Sequence, residues 1–196
     1  MNRENLRLAL SDIYAGARQW PLWSYLGSQD IRERYRRSRI GAFWLTISMG
    51  VTVATLAFLF GTLFGRTLEG YLPYLSAGYV VWGLLSGLVL DAGRTYIGSA
   101  GLIQQLSAPL SLYVYRAVWG NLLVFCHNIV IFLVVALWFG IQPTWTWFLA
   151  VFGIAVLLLN GIWLGLLLGL ISARFRDVPQ IVSSLMQMMF FLTPIF

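Results

Sequence analysis

Asp91 and Arg94 stand three residues apart at the end of an apolar stretch, a spacing that brings two side chains together on one helix face. Such a charge pair either ties structure together or serves a transport path. His127 and Asn128 stand near the middle of another apolar stretch, where hydrogen bonding between helices competes with a proton relay. Little other chemistry is on offer. The chain has thirteen Arg and no Lys, against four Asp and three Glu, with one His and one Cys. Without Lys there is no Walker A motif and no Schiff base. Cys126 alone forms no internal disulfide and no Cys-based metal site. No G-x-S-x-G nucleophile motif is present. The sequence therefore assigns no catalytic residue, no metal ligands and no cofactor bound by this chain.

The surrounding elements must lie in lipid. Of 196 residues, 59% are hydrophobic and 10% charged, where soluble domains carry roughly 25% charged residues. Residues 1–39 form a basic N-terminal region holding eight of the thirteen Arg, with no cleavable signal pattern. Leu6, Leu10, Ile13 and Ala17 recur at helical spacing, and Trp20, Leu22, Trp23, Tyr25 and Leu26 add an aromatic patch. Basic residues opposite Trp and Leu read as an amphipathic helix lying in the membrane interface. Residues 40–196 form a transmembrane domain with five apolar spans, about 41–65, 75–95, 117–140, 145–172 and 178–196. Each must be helical, because lipid offers backbone N–H and C=O groups no partner. The expected fold is an all-α polytopic membrane bundle.

Placing the N-terminus in the cytoplasm puts twelve Arg inside and only Arg66 outside, as the positive-inside rule requires. Pro73 and Pro143 then fall in the two short outside turns, with Tyr71, Tyr74, Trp145 and Trp147 as interface anchors. The apolar run reaches Phe196 without a polar flank, so the sequence reads as C-terminally truncated. Small residues at Gly61/Gly65, Gly83/Gly87 and Gly161/Gly165/Gly169 allow close helix approach, within one chain or between two. Between spans two and three, Leu102, Ile103 and Leu106 lie at helical spacing between Gly101 and Pro109, a short helix open to a soluble partner. Aromatic residues spread through the spans hint at an amphipathic, sugar-bearing ligand.

Four blocks resemble one family. The run DIRERYRRSRIGAFWLTISMG over residues 30–50 is similar to the signature of ABC-transporter permeases that export polysaccharides: O-antigen, capsule and teichoic acid. The matching residues are Asp30, Arg34, Tyr35, Ser38, Gly41 and Trp44, followed by SAGLIQQ with Pro109, RFRD after span four, and TPIF at 193–196. Met49 stands where many members have Pro, and Gln104 and Gln105 where a Lys is common. The family continues with periplasmic gate helices and a sixth span.

The resemblance implies a homodimer with two copies of a separate ATP-binding subunit, which would carry the ATP and magnesium. A helix around residues 22–37, with Arg32, Arg34, Tyr35 and Arg36, and a coupling helix with Leu102, Ile103, Gln104 and Gln105, would touch that ATPase. The path would lie at the dimer interface, lined by spans one, two and five, with Trp44, Trp82 and Phe191 as sugar contacts. Membrane lipids and a lipid-linked glycan are the further expected partners, with no nucleic acid, in a bacterial inner membrane. The rival readings are an ABC permease for a drug or small lipid, a membrane-embedded enzyme, and an ion channel. The embedded enzyme would need more titratable groups than Asp91, Arg94 and His127, and the channel would need polar rings.

Overall fold

The computed structural model describes residues 3–36, 38–65 and 67–194. Arg37 of the basic block, Arg66 and the last two residues of TPIF, Ile195 and Phe196, lie outside the described residues. The described chain folds into helices with no strand: α1 (Arg3–Arg18), α2 (Trp20–Arg34), α3 (Phe43–Phe64), α4 (Leu68–Gly98), α5 (Ala100–Gln105), α6 (Leu110–Trp138), α7 (Thr146–Arg174) and α8 (Val178–Leu192). Four of them, α3, α4, α6 and α7, are long and apolar enough to cross a membrane. The fifth apolar stretch gives α8, whose 15 residues reach ~22 Å, short of the ~30 Å hydrocarbon core.

Two helices run further than hydropathy suggests. The second span, expected over 75–95, is a helix of 31 residues from Leu68 to Gly98. The third, expected from residue 117, starts at Leu110. Arg116 marks the expected start of the third span, yet α6 continues through it because Asp30 pairs with that charge. Pro73 is not in a turn but inside α4. It lies in the second turn, where a single missing N–H is lost near the helix start. The turns on either side of it are held by Tyr71 and Leu75, which are 2% and 0% exposed against Ala57 of α3. That burial also corrects the expected role of Tyr71 as an interface anchor. Trp145, 84% exposed, and Tyr74, 52% exposed, keep outward positions. Left-handed glycines end two spans, Gly65 (φ 63°) after α3 and Gly140 (φ 65°) after α6, a conformation that costs side-chain-bearing residues energy.

α4 is the axis of the bundle, packed on α7, α6, α3 and α8. Met49 and Val53 of α3, Val80, Leu84 and Leu88 of α4, and Phe125 of α6 form one buried cluster. Toward the basic end, Tyr96, Leu112, Tyr113 and Val114 form another. Lipid gives no hydrophobic drive for helices to associate, so close approach and polar contacts carry the specificity. The glycine stripe of α7 shows how. A Cβ at Gly161 would sit 2.8 Å from Leu88 Cδ2, one at Gly165 2.5 Å from Val114 Cγ1, and one at Gly169 2.8 Å from Tyr96 Cε2. The stripe thus serves packing within one chain. Gly83 likewise faces Met49, and Gly87 faces Asn121.

Val114 is β-branched and stiff at χ1 in a helix, so it gives way poorly. Gly165→Ala is expected to destabilise the detergent-solubilised protein by about 1–3 kcal/mol. Gly153→Ala, with open space around the added carbon, is expected to leave the melting temperature unchanged or slightly raised.

Candidate functional site

The N-terminal helices are tied to the start of α6 by two aspartates. Helix α6 begins behind Pro109, which offers no side-chain cap. Its first N–H groups have no partner within the helix. Asp12 of α1 fills the gap from a distance: Oδ1 accepts the Leu110 N–H and Oδ2 the Ser111 N–H, both at 3.0 Å. Ser111 Oγ donates back to the Asp12 carbonyl at 2.7 Å. A carboxylate here also meets the positive end of the α6 dipole.

One and a half turns on, Arg116 of α6 forks onto Asp30 of α2. Nε donates to Oδ2 at 2.7 Å and Nη2 to Oδ1. This is the one ion pair among the described residues. Trp119 Nε1 donates to Ser28 Oγ at 3.2 Å, and the Trp119 ring meets Trp23 edge-on at 5.8 Å. Gly27 allows this approach, since a Cβ there would stand 2.9 Å from the Arg116 carbonyl oxygen. Helix α2 thus begins and ends slightly before residues 22–37, and turns Gly27 and Ile31 inward. The regular apolar spacing of Leu6, Leu10 and Ile13 belongs to α1 instead.

A polar cavity of about 430 Å³ opens between α2, α4 and α6, lined by Asp30, Arg34, Asp91, Arg94, Arg116 and Asn121 among others. Asp91 and Arg94 share it, but the expected ion pair between them is not formed. Asp91 Oδ2 instead accepts from Asn121 Nδ2 at 2.7 Å, tying α4 to α6. The open space at Gly87, into which Asn121 projects, makes that contact possible. His127 is not an interhelical bonding side chain either. Its Nδ1 donates to Leu123 O of its own helix at 2.8 Å. The bond to α3 is made by its backbone carbonyl, which accepts from Thr46.

Of the expected partner-facing residues, Leu102 and Ile103 of α5 are half-buried against the Tyr96–Leu112 cluster, while Gln104 and Gln105 are exposed. Arg32, Arg34 and Arg36 are exposed at the end of α2, and Tyr35 closes that helix through its N–H to Ile31 O. Trp82 and Phe191 come together along a groove of about 860 Å³ between α4 and α8. Phe190 joins them, 5.7 Å from Trp82, 5.9 Å from Tyr79 and 5.4 Å from Phe191. Ser86, Ser183, Ser184 and Gln187 supply polar groups. Trp44 is half-exposed on α3 and does not line this groove.

Asp12, Asn121 and Ser28 carry no local sequence pattern that marks them as contacts between helices. A helix that starts at Pro109 without a Ser, Thr, Asp or Asn of its own is the signal that could have pointed to a cap from elsewhere. Asp12→Ala is expected to cost about 0.5–2 kcal/mol. Asp30→Ala is expected to cost about 1.5–3 kcal/mol at most, because Asp30 is 41% exposed and solvent screens the pair. Trypsin cleavage after Arg18 reads both, with faster release of α1 expected in each variant and no change in Arg174→Gln.

The chain matches the ABC-2 type transporter family over residues 21–196. It is 25% identical over 172 residues to the O-antigen export system permease protein RfbA of Myxococcus xanthus, covering 87% of this chain and 65% of that protein. Two permeases of the same name from Klebsiella pneumoniae are 22% and 23% identical, each again covered over 65% of its length and matched by 86% of this chain. The chain therefore spans a little under two thirds of these relatives. With the family match running through α2 and the whole bundle, this multi-pass helical membrane protein belongs to the ABC-2 type transporter family.

Proposed function

We propose that this chain is the membrane-spanning permease subunit of an ATP-driven exporter that moves a lipid-linked polysaccharide across a bacterial inner membrane. The observation that carries this reading is the family match together with relatives that are named O-antigen export permeases. The chain works as a homodimer with two copies of a separate ATP-binding subunit, which binds ATP and magnesium. The N-terminus is cytoplasmic, in keeping with the twelve Arg on that side.

Gln104 and Gln105 of α5, Arg32 of α2 and Arg36 just beyond its end face this subunit. Their exposure beside a firmly packed base supports the role, since Leu102 and Ile103 hold α5 to the bundle. ATP binding changes the contacts on α2 and α5, and only contacts that differ between states can shift the permease. The aromatic groove between α4 and α8 is the sugar path. Its rings offer flat faces to pyranose C–H groups, and its serines and Gln187 offer hydrogen bonds to hydroxyls.

Purification of the full-length protein from native membranes in mild detergent is expected to bring down a P-loop subunit in equal amount. Gln104→Glu combined with Gln105→Glu is expected to lose it while the permease stays folded. Absence of any ATPase would contradict the reading. Trp82→Ala is expected to lower surface glycan about tenfold, equivalent to ~1.4 kcal/mol, with the ATPase still bound.

A further inference from the structure

The cavity between α2, α4 and α6 holds charges of both signs that the protein leaves without charged partners. Asp30 pairs with Arg116 through Nε and Nη2, while Arg116 Nη1 is buried without a hydrogen-bond partner. Arg34 and Arg94 have no carboxylate within 4.0 Å among the described residues. Asp91 is exposed and has one bond, from Asn121 to Oδ2, which leaves Oδ1 open. Two guanidiniums therefore stand beside a half-used carboxylate in a space of about 430 Å³, within the size range of small-molecule sites, ~300–1,000 Å³.

Position narrows the ligand. Helix α4 is 31 residues long, ~46 Å, which exceeds the ~30 Å hydrocarbon core. Asp91 and Arg94 lie in its last eight residues, at the basic end and at headgroup depth. Leu90 and Val124 add apolar wall to the cavity. We propose that this cavity binds a phospholipid headgroup carrying both a phosphate and a primary ammonium, with Arg34 and Arg94 on the phosphate and Asp91 on the ammonium. Guanidinium groups suit phosphate oxygens, and an ammonium supplies three donors to an open carboxylate oxygen. Leu90 lines this cavity and the aromatic groove alike, so the headgroup sits next to the sugar path. The inference goes beyond the exporter reading, and needs only that the chain spans a membrane.

The test is native mass spectrometry of the full-length protein in detergent, with phosphatidylethanolamine, phosphatidylcholine and phosphatidylglycerol as probes at equal amounts. Phosphatidylethanolamine is expected to be retained about tenfold over phosphatidylcholine, whose quaternary ammonium donates no hydrogen bond. It should also exceed phosphatidylglycerol. Arg34→Gln and Arg94→Gln each reduce its retention to the phosphatidylcholine level, and Arg94→Lys restores part of it. Asp91→Asn reverses the preference toward phosphatidylglycerol. Arg174→Gln is the control that retains the wild-type pattern, and melting temperatures identify any variant that misfolds. Equal retention of the three lipids, or wild-type retention in both Arg variants, would overturn the proposal. Displacement of the lipid by inorganic phosphate would also overturn it, by assigning the cavity to a soluble anion. None of these readings uses the ATPase, so failure of the exporter proposal is scored separately.

Discussion

The fork between Asp30 and Arg116 joins the basic N-terminal helices to the apolar bundle, and much of the architecture follows from it. A guanidinium in the first third of a spanning helix would normally mark where that helix stops. Held by Asp30, Arg116 lets α6 run seven residues further out, to a start that Asp12 caps. Asp91 of α4 is likewise engaged from a neighbouring helix, by Asn121 of α6. In lipid, where apolar surface gives no preference for one helix over another, these few polar contacts and the glycine stripe of α7 select the arrangement.

They also form a continuous connection. Helix α2 grips α6 through Asp30 and Arg116; α6 grips α4 through Asn121 and Asp91; α4 carries Trp82 into the aromatic groove. The end that we propose faces an ATPase is thus bonded, helix by helix, to the wall that we propose faces the glycan. Such a chain of contacts transmits movement only if its members shift together. The buried cluster of Tyr96, Leu112, Tyr113 and Val114 at the base of the bundle supports this, because close-packed side chains resist sliding.

Much of this was legible in the sequence, and what was not has a physical reason. Apolar length alone located four spans, since lipid permits only helices there. The Gly161, Gly165 and Gly169 spacing announced close approach, and α7 uses it on Leu88, Val114 and Tyr96. The start of α6 was misplaced because Arg116 looks like a boundary until Asp30 is brought beside it. Pro73 looked like a turn because the burial of Tyr71 and Leu75 against α3 is not local information. Asp91 and Arg94 have the spacing of a pair, but the close approach at Gly87 hands Asp91 to a neighbouring helix. Trp82 and Phe191 were named as aromatic residues on the spans that the family resemblance implies line the path, and Phe190 is the ring that connects them.

The most direct test of this account is the amount of glycan exported per ATP hydrolysed when Asp30 is replaced by Asn in the assembled complex. The replacement retains shape and removes the charge from the fork. The account requires that the complex still assembles and hydrolyses ATP, while export per ATP falls severalfold, because α2 would move without carrying α6. Unchanged export per ATP, with Asp30→Asn folded and assembled, would contradict the claim that force passes through this contact.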